Sequence, residues 1–199
     1  MKKIKILLLS VVFLAGLVGA ASASPFALSS YTVTPSSSDP GLVIQTQNLL
    51  TTPFTFDIPV GGYVTTQLFK IWTTESAVNN DDKVPKPISV EFNFSSPLMS
   101  GTETGQTVGK TWGLGFYQEG KVTWGDPLAL SFGGTGSLLI DLSDETFNSG
   151  LFWGLGNCGA VVEATFTYAA APVPEPATML LLGLGLVGLA GYGRKKFKE

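Results

Sequence analysis

Along the middle of this chain the apolar residues fall on every second position. Phe54, Phe56 and Ile58 alternate with Thr55 and Asp57, and Val90, Phe92 and Phe94 with Ser89, Glu91 and Asn93. Leu128, Leu130 and Phe132 alternate with Ala129 and Ser131, and Leu138, Ile140 and Leu142 with Leu139, Asp141 and Ser143. Val162, Ala164, Phe166 and Tyr168 close the series, with Val161, Glu163, Thr165 and Thr167 on the other parity. A period of two sends successive side chains to opposite faces, so each segment predicts a strand with one buried face and one wet face. Residues 63–72 are apolar on both parities, which predicts a more central strand. Residues 111–118 and 121–124 read as a hairpin turning at Glu119-Gly120. Tyr31 to Thr34 predicts a short first strand, and residues 42–50 the first substantial one.

Breakers separate these segments: Gly61-Gly62, Pro85, Pro87, Pro97, Gly133-Gly134, Gly136, Gly154 and Gly156. Outside the two termini no stretch carries a 3.6-residue apolar period, and no regular repeat is present. The expected fold is all-β: an antiparallel β-sandwich, jelly-roll-like, flanked by an N-terminal signal helix and a C-terminal transmembrane helix.

The termini follow a different pattern. Lys2, Lys3 and Lys5 precede an apolar stretch that ends in Ala21-Ser22-Ala23. This is the layout of a secretory signal peptide over residues 1–23, with Ala21 and Ala23 as the small residues of the cleavage site and Ser24 as the new N-terminus. No cysteine follows that site, which excludes a bacterial lipoprotein anchor. Ala169 to Pro174 forms a short extended spacer, so the domain is expected over 24–171 and a tail over 172–199. In that tail Ala177 to Tyr192 carries no charge and contains four glycines. As a helix it would rise about 24 Å at roughly 1.5 Å per residue, against a hydrocarbon core of about 30 Å. It reads as a marginal span. The basic end, Arg194, Lys195, Lys196 and Lys198, would hold the C-terminus on the cytoplasmic side, with the domain outside.

Charge sharpens the division. The whole chain has 12 Lys+Arg and 15 Asp+Glu, a net of −3. Between Ser24 and Pro172 stand five lysines and thirteen acidic residues, a net of −8. Nucleic acid is not an expected partner, because no basic stripe exists to displace counterions from phosphates. There is no histidine, which removes Ser-His-Asp and Cys-His catalysis and the commonest zinc ligand. Cys158 is the lone cysteine, so no intrachain disulfide can form, and a buried thiol is the expectation.

The tail also resembles a known family. Val173-Pro174-Glu175-Pro176, the Gly/Leu-rich span and the Arg-Lys-Lys end look like the PEP-CTERM sorting signal of Gram-negative bacteria, with all three parts in order. The resemblance implies that Pro174, Glu175 and Pro176 are the motif read by a membrane enzyme, an exosortase. It further implies that residues 177–192 are the transmembrane part and that Arg194, Lys195 and Lys196 are the cytoplasmic stop. It implies association with extracellular polysaccharide, biofilm or floc. The same segment is also known under an ice-binding C-terminal label, which is no evidence of ice binding here. The expected partners are signal peptidase and the general secretion machinery, the exosortase, the inner membrane transiently, and extracellular polysaccharide. The expected location is the cell surface or the extracellular space.

Candidate chemistry in the domain is sparse. Glu75, Asn79, Asn80, Asp81 and Asp82 gather hard oxygens in one loop, and Asp81 and Asp82 are weak calcium candidates, although the spacing is not that of an EF-hand. A solvated acidic turn is the plainer reading, with no cofactor. Trp112 and Trp124, beside glycines near the expected turn, are the candidate sugar-stacking pair. Glu91, Glu103, Glu119, Asp126 and Glu163 could supply a glycosidase pair, but no spacing selects two of them. The leading expectation is an exported, non-enzymatic structural protein of the surface or matrix. A carbohydrate-binding module stands second and a glycan-active enzyme third.

Overall fold

The structure, a computed structural model, describes residues 23–134, 136–151, 159–170 and 183–185. Among the described residues eleven strands run in chain order: β1 (Ala23–Thr34), β2 (Ile44–Asn48), β3 (Phe54–Pro59), β4 (Tyr63–Thr73), β5 (Lys86–Ser96), β6 (Leu98–Trp112), β7 (Tyr117–Trp124), β8 (Leu128–Phe132), β9 (Gly136–Leu142), β10 (Glu145–Leu151) and β11 (Ala160–Ala170). They form two antiparallel sheets. One has the order β10-β7-β6-β5-β1-β3, the other β2-β4-β11-β9-β8. The expected all-β sandwich is therefore present. Its winding differs from the jelly-roll likeness: β5, β6 and β7 form a consecutive meander within one sheet, whereas jelly-roll strands mostly hop between sheets.

The alternation works as read. Phe56 and Ile58, Val90, Phe92 and Phe94, Leu138, Ile140 and Leu142, and Val162, Ala164, Phe166 and Tyr168 all point into one core between the sheets. Aromatic rings dominate one end of it. Phe26 stacks on Phe56 at 5.5 Å and meets Phe132 and Tyr168 edge-on, while Phe166 receives the edges of Phe92 and Phe94. Ring faces and edges carry opposite partial charge, so such crossings add about 0.5–1.5 kcal/mol each to the burial of area.

Two β-bulges explain what a strict period of two could not. In β4 the register against β11 slips at Leu68, so that Leu68 and Phe69 both face inward. This accounts for the apolar residues on both parities of that strand, which lies second from the edge and not at the centre. The Leu68 carbonyl accepts the Tyr31 hydroxyl at 2.6 Å and the N–H groups of Leu49 and Leu50. In β10 the register against β7 slips after Phe147, and Phe147 and Asn148 both turn inward, Asn148 with φ +50°.

The hairpin expected at Glu119-Gly120 is corrected. Those residues lie inside β7, where Glu119 pairs with Lys110 and Gly120 with Gly109. The chain turns instead at Gly113–Gly115, a single 3-10 turn in which Gly113, Leu114 and Gly115 all have positive φ. Glycines allow that turn at little steric cost. Gly120 serves packing instead, since the Phe147 ring occupies the space a side chain would fill. β1 is also longer than expected and is the first substantial strand, while β2 covers only the middle of residues 42–50.

Candidate functional site

The connection from β4 to β5, residues 74–85, closes one end of the sandwich. Polar groups on the inner faces of the strands hold it there. Asn148 accepts the Thr73 N–H with Oδ1 and donates Nδ2–H to the Thr73 carbonyl, both at 3.1 Å. Gln118 accepts the Val78 N–H at 2.8 Å, and the Asp82 carbonyl accepts the Gly109 N–H at 2.8 Å. A Cβ at Gly109 would sit 2.9 Å from Val78 and 3.1 Å from Asp82, so glycine lets the loop lie flat on β6.

Within the loop, Asn79 Oδ1 accepts the N–H groups of Asp81 and Asp82, and Asp82 Oδ2 accepts the Asn79 N–H at 2.8 Å. The acidic run is therefore an ordered turn that leaves Asn79 and Asn80 exposed and encloses Asp82. It also reaches across to the β1–β2 connection. Asp81 Oδ2 accepts the Gly41 N–H at 2.7 Å, and Glu75 Oε1 accepts the Val43 N–H at 2.6 Å. Asp39, which sequence reasoning missed, joins the group from that connection. An open pocket of about 450 Å³ lies alongside, lined by Asp39, Val43, Thr74, Glu75 and Asn79 among others.

The electrostatics follow from crowding. Burial pushes the Glu75 carboxyl up to about 7, against the pull of the Val43 N–H, and the neighbouring Asp82 and Asp39 add to the rise. The Asp39 carboxyl is raised because it faces that of Asp81, whereas Asp81 is held below the ordinary range by the Gly41 N–H. Among the described residues, no three His, Cys, Asp or Glu side chains stand close enough together to hold a metal ion.

A second buried acid stands elsewhere. Glu103 points inward from β6, 3% exposed, and its carboxyl takes the Leu128 N–H of β8, the edge strand of the opposite sheet. Burial first, then the charges of Asp141 and Asp126, raises it to about 7. Of the other acids considered for glycan chemistry, Glu91 and Glu163 lie on outer, solvent-facing positions of β5 and β11, and Glu119 lies within β7.

The proposed tryptophan pair is not brought together. Trp112 pairs with Tyr117 at the turn end of the β6–β7 hairpin, and Trp124 pairs with Gly105 at the other end. Trp124 is half-buried: its ring lies over Gly105, crosses Phe69 edge-on at 6.3 Å and donates Nε1–H to the Ser143 carbonyl. Trp112 is 57% exposed, and its exposed neighbours are Leu114, Phe116 and Tyr117.

β11 ends at Ala170, two residues before the expected start of the tail at 172. Residues 172–195 match the PEP-CTERM protein-sorting motif. The motif implies an exported protein processed by an exosortase and sorted to the cell surface. The PEP-CTERM match spans the tail alone, and nothing among the curated proteins or the solved structures matches the chain. Pro174, Glu175, Pro176, Arg194 and Lys195 fall inside that motif and Lys196 lies one residue beyond it; all six are outside the described residues, and so are Ala21 and Cys158. Residues 183–185 are helical, and among the described residues no helix is long and apolar enough to cross a membrane. Ala23, the last residue of the expected signal peptide, is the first of β1 and pairs with Pro59.

Proposed function

We propose that the chain is a structural, non-enzymatic protein of the cell surface or extracellular matrix, associated with exopolysaccharide or biofilm. On this reading it is delivered through the general secretion machinery, trimmed by signal peptidase, held briefly in the inner membrane by its tail, and released by an exosortase. The observation that carries the reading is the PEP-CTERM motif set directly behind the last strand of a sandwich with an acidic surface. Ala169 and Ala170, expected in an extended spacer, are the paired end of β11, so Ala171 alone separates the strand from the motif. Changing Pro174, Glu175 and Pro176 together to alanine should leave a larger, membrane-retained form, read by immunoblot of membrane and medium fractions. Unchanged size and release would count against exosortase processing. If the matrix role holds, released protein should co-fractionate with the producer's polysaccharide; recovery entirely as free protein would remove that part of the reading.

A further inference from the structure

At its most enclosed point the β4–β5 loop holds a carboxylate oxygen without a partner. Asp82 is 0% exposed; its Oδ2 takes the Asn79 N–H, and its Oδ1 has no hydrogen-bond partner. The carboxyl of Glu75 lies within hydrogen-bonding reach of Asp82, with one oxygen already committed to the Val43 N–H. Without a proton or a cation between them, two carboxyl groups have only acceptors to offer each other. Asp39 and Asp81 repeat the arrangement nearer the solvent, with one Asp81 oxygen committed to Gly41. Lys86 acts on Asp81 from the side. A buried oxygen without a partner is costly to a fold, and it calls for a donor or a cation at that point.

We propose that this loop binds a hard divalent cation, calcium by preference. Asp82 Oδ1 and the free oxygen of Glu75 are its anchoring ligands, and Asp39 and Asp81 supply further oxygens from the solvent side. The donor set is all oxygen, which suits calcium or magnesium and not the softer metals. It is also irregular and open to water through the adjoining pocket, which calcium tolerates with its six to eight loosely arranged ligands and magnesium does not. No three of these side chains stand close enough to hold an ion as they are, so binding requires them to move together. The ion would then tie the β1–β2 connection to the β4–β5 loop.

The test uses the full chain in detergent, stripped with chelator, titrated calorimetrically with CaCl2 or MgCl2 at about pH 7.5 and followed by thermal unfolding. A calcium Kd of about 10⁻⁴–10⁻³ M is expected, the range of extracellular modules. At about 10 mM CaCl2 the melting temperature should rise by about 3–6 °C, with a smaller magnesium response. Asp82→Asn and Glu75→Gln should weaken binding at least about tenfold, and Glu91→Gln, on the outer face of β5, should leave it unchanged. Glu75→Gln keeps an acceptor for Val43 and removes one of the facing charges, so it tests the site even where Asp82→Asn does not fold. No calcium response in either the calorimetry or the melting temperature would overturn the proposal. An undiminished calcium response in Glu75→Gln would overturn the placement of the site.

Discussion

The two ends of the β6–β7 hairpin carry one tryptophan each and treat it in opposite ways. Trp124 stands across from Gly105, whose missing side chain leaves a trough for the indole, and the Ser143 carbonyl fixes the ring there. Trp112 stands across from Tyr117 and has no trough, so its ring remains in solvent beside Leu114, which is 99% exposed. Residue type does not decide burial here; the cross-strand partner does. The difference continues beneath the strands. Under the Trp124 end, Glu103 is enclosed against the edge of β8, while under the Trp112 end Gln118 and Asn148 dock a loop through hydrogen bonds.

The strongest way to break this contrast is to fill the trough. A Cβ at Gly105 would lie 2.6 Å from the Thr123 carbonyl oxygen and 2.7 Å from the Trp124 ring. Gly105→Val should therefore cost about 3 kcal/mol or more, because a paired backbone oxygen cannot retreat as a side-chain tip can. Denaturant unfolding followed by Trp fluorescence would measure it, and a cost under about 1 kcal/mol would mean that the ring is not held in the trough.

Glu103 gives a subtler test with a definite sign. Its folded pKa, about 7, lies above the unfolded value near 4.3. The folded protein therefore binds the extra proton between those values, and stability falls as pH rises through that window. Glu103→Gln keeps an acceptor for Leu128 and removes the charge. It should flatten the dependence of melting temperature on pH between about 4.5 and 7 and raise the melting point at pH 8. An unchanged profile would place the titration elsewhere, with Glu75 the first alternative. The smallest effect belongs to the exposed end: Trp112→Ser should change stability by no more than about 0.5 kcal/mol in the same denaturation assay.

Much of the sheet framework was legible because five segments alternate cleanly and pack as they read. β6 and β10 were not. On the inner face of β6 stand Met99, Gly101, Glu103, Gly105, Thr107 and Gly109, which make room for Leu130, Trp124 and Asp82, so no apolar period marks the strand. β10 contributes one buried apolar residue, Phe147, and a bulge breaks its period. The acidic loop was visible as a run of oxygen-bearing residues, but Asp39 was invisible as a member. It lies 36 positions before Glu75 in a Ser/Pro-rich stretch, and only the long-range bonds of Gly41 and Val43 bring it near. Glu103 was visible only as one acid among many, since its burial depends on the edge of a strand in the other sheet. The tail was the most legible part, being a local motif whose order of parts carries its meaning.

One topological detail bears on delivery. β11, the last strand among the described residues, is the middle strand of the five-stranded sheet, joining β4 and β2 on one side to β9 and β8 on the other. Until it emerges, those halves share no hydrogen bonds and the aromatic end of the core lacks Phe166 and Tyr168. On the proposed route of export, the five-stranded sheet cannot close before β11 has crossed. The strand that completes the domain is the one nearest the sorting signal, so closing the sheet coincides with the arrival of the part to be processed.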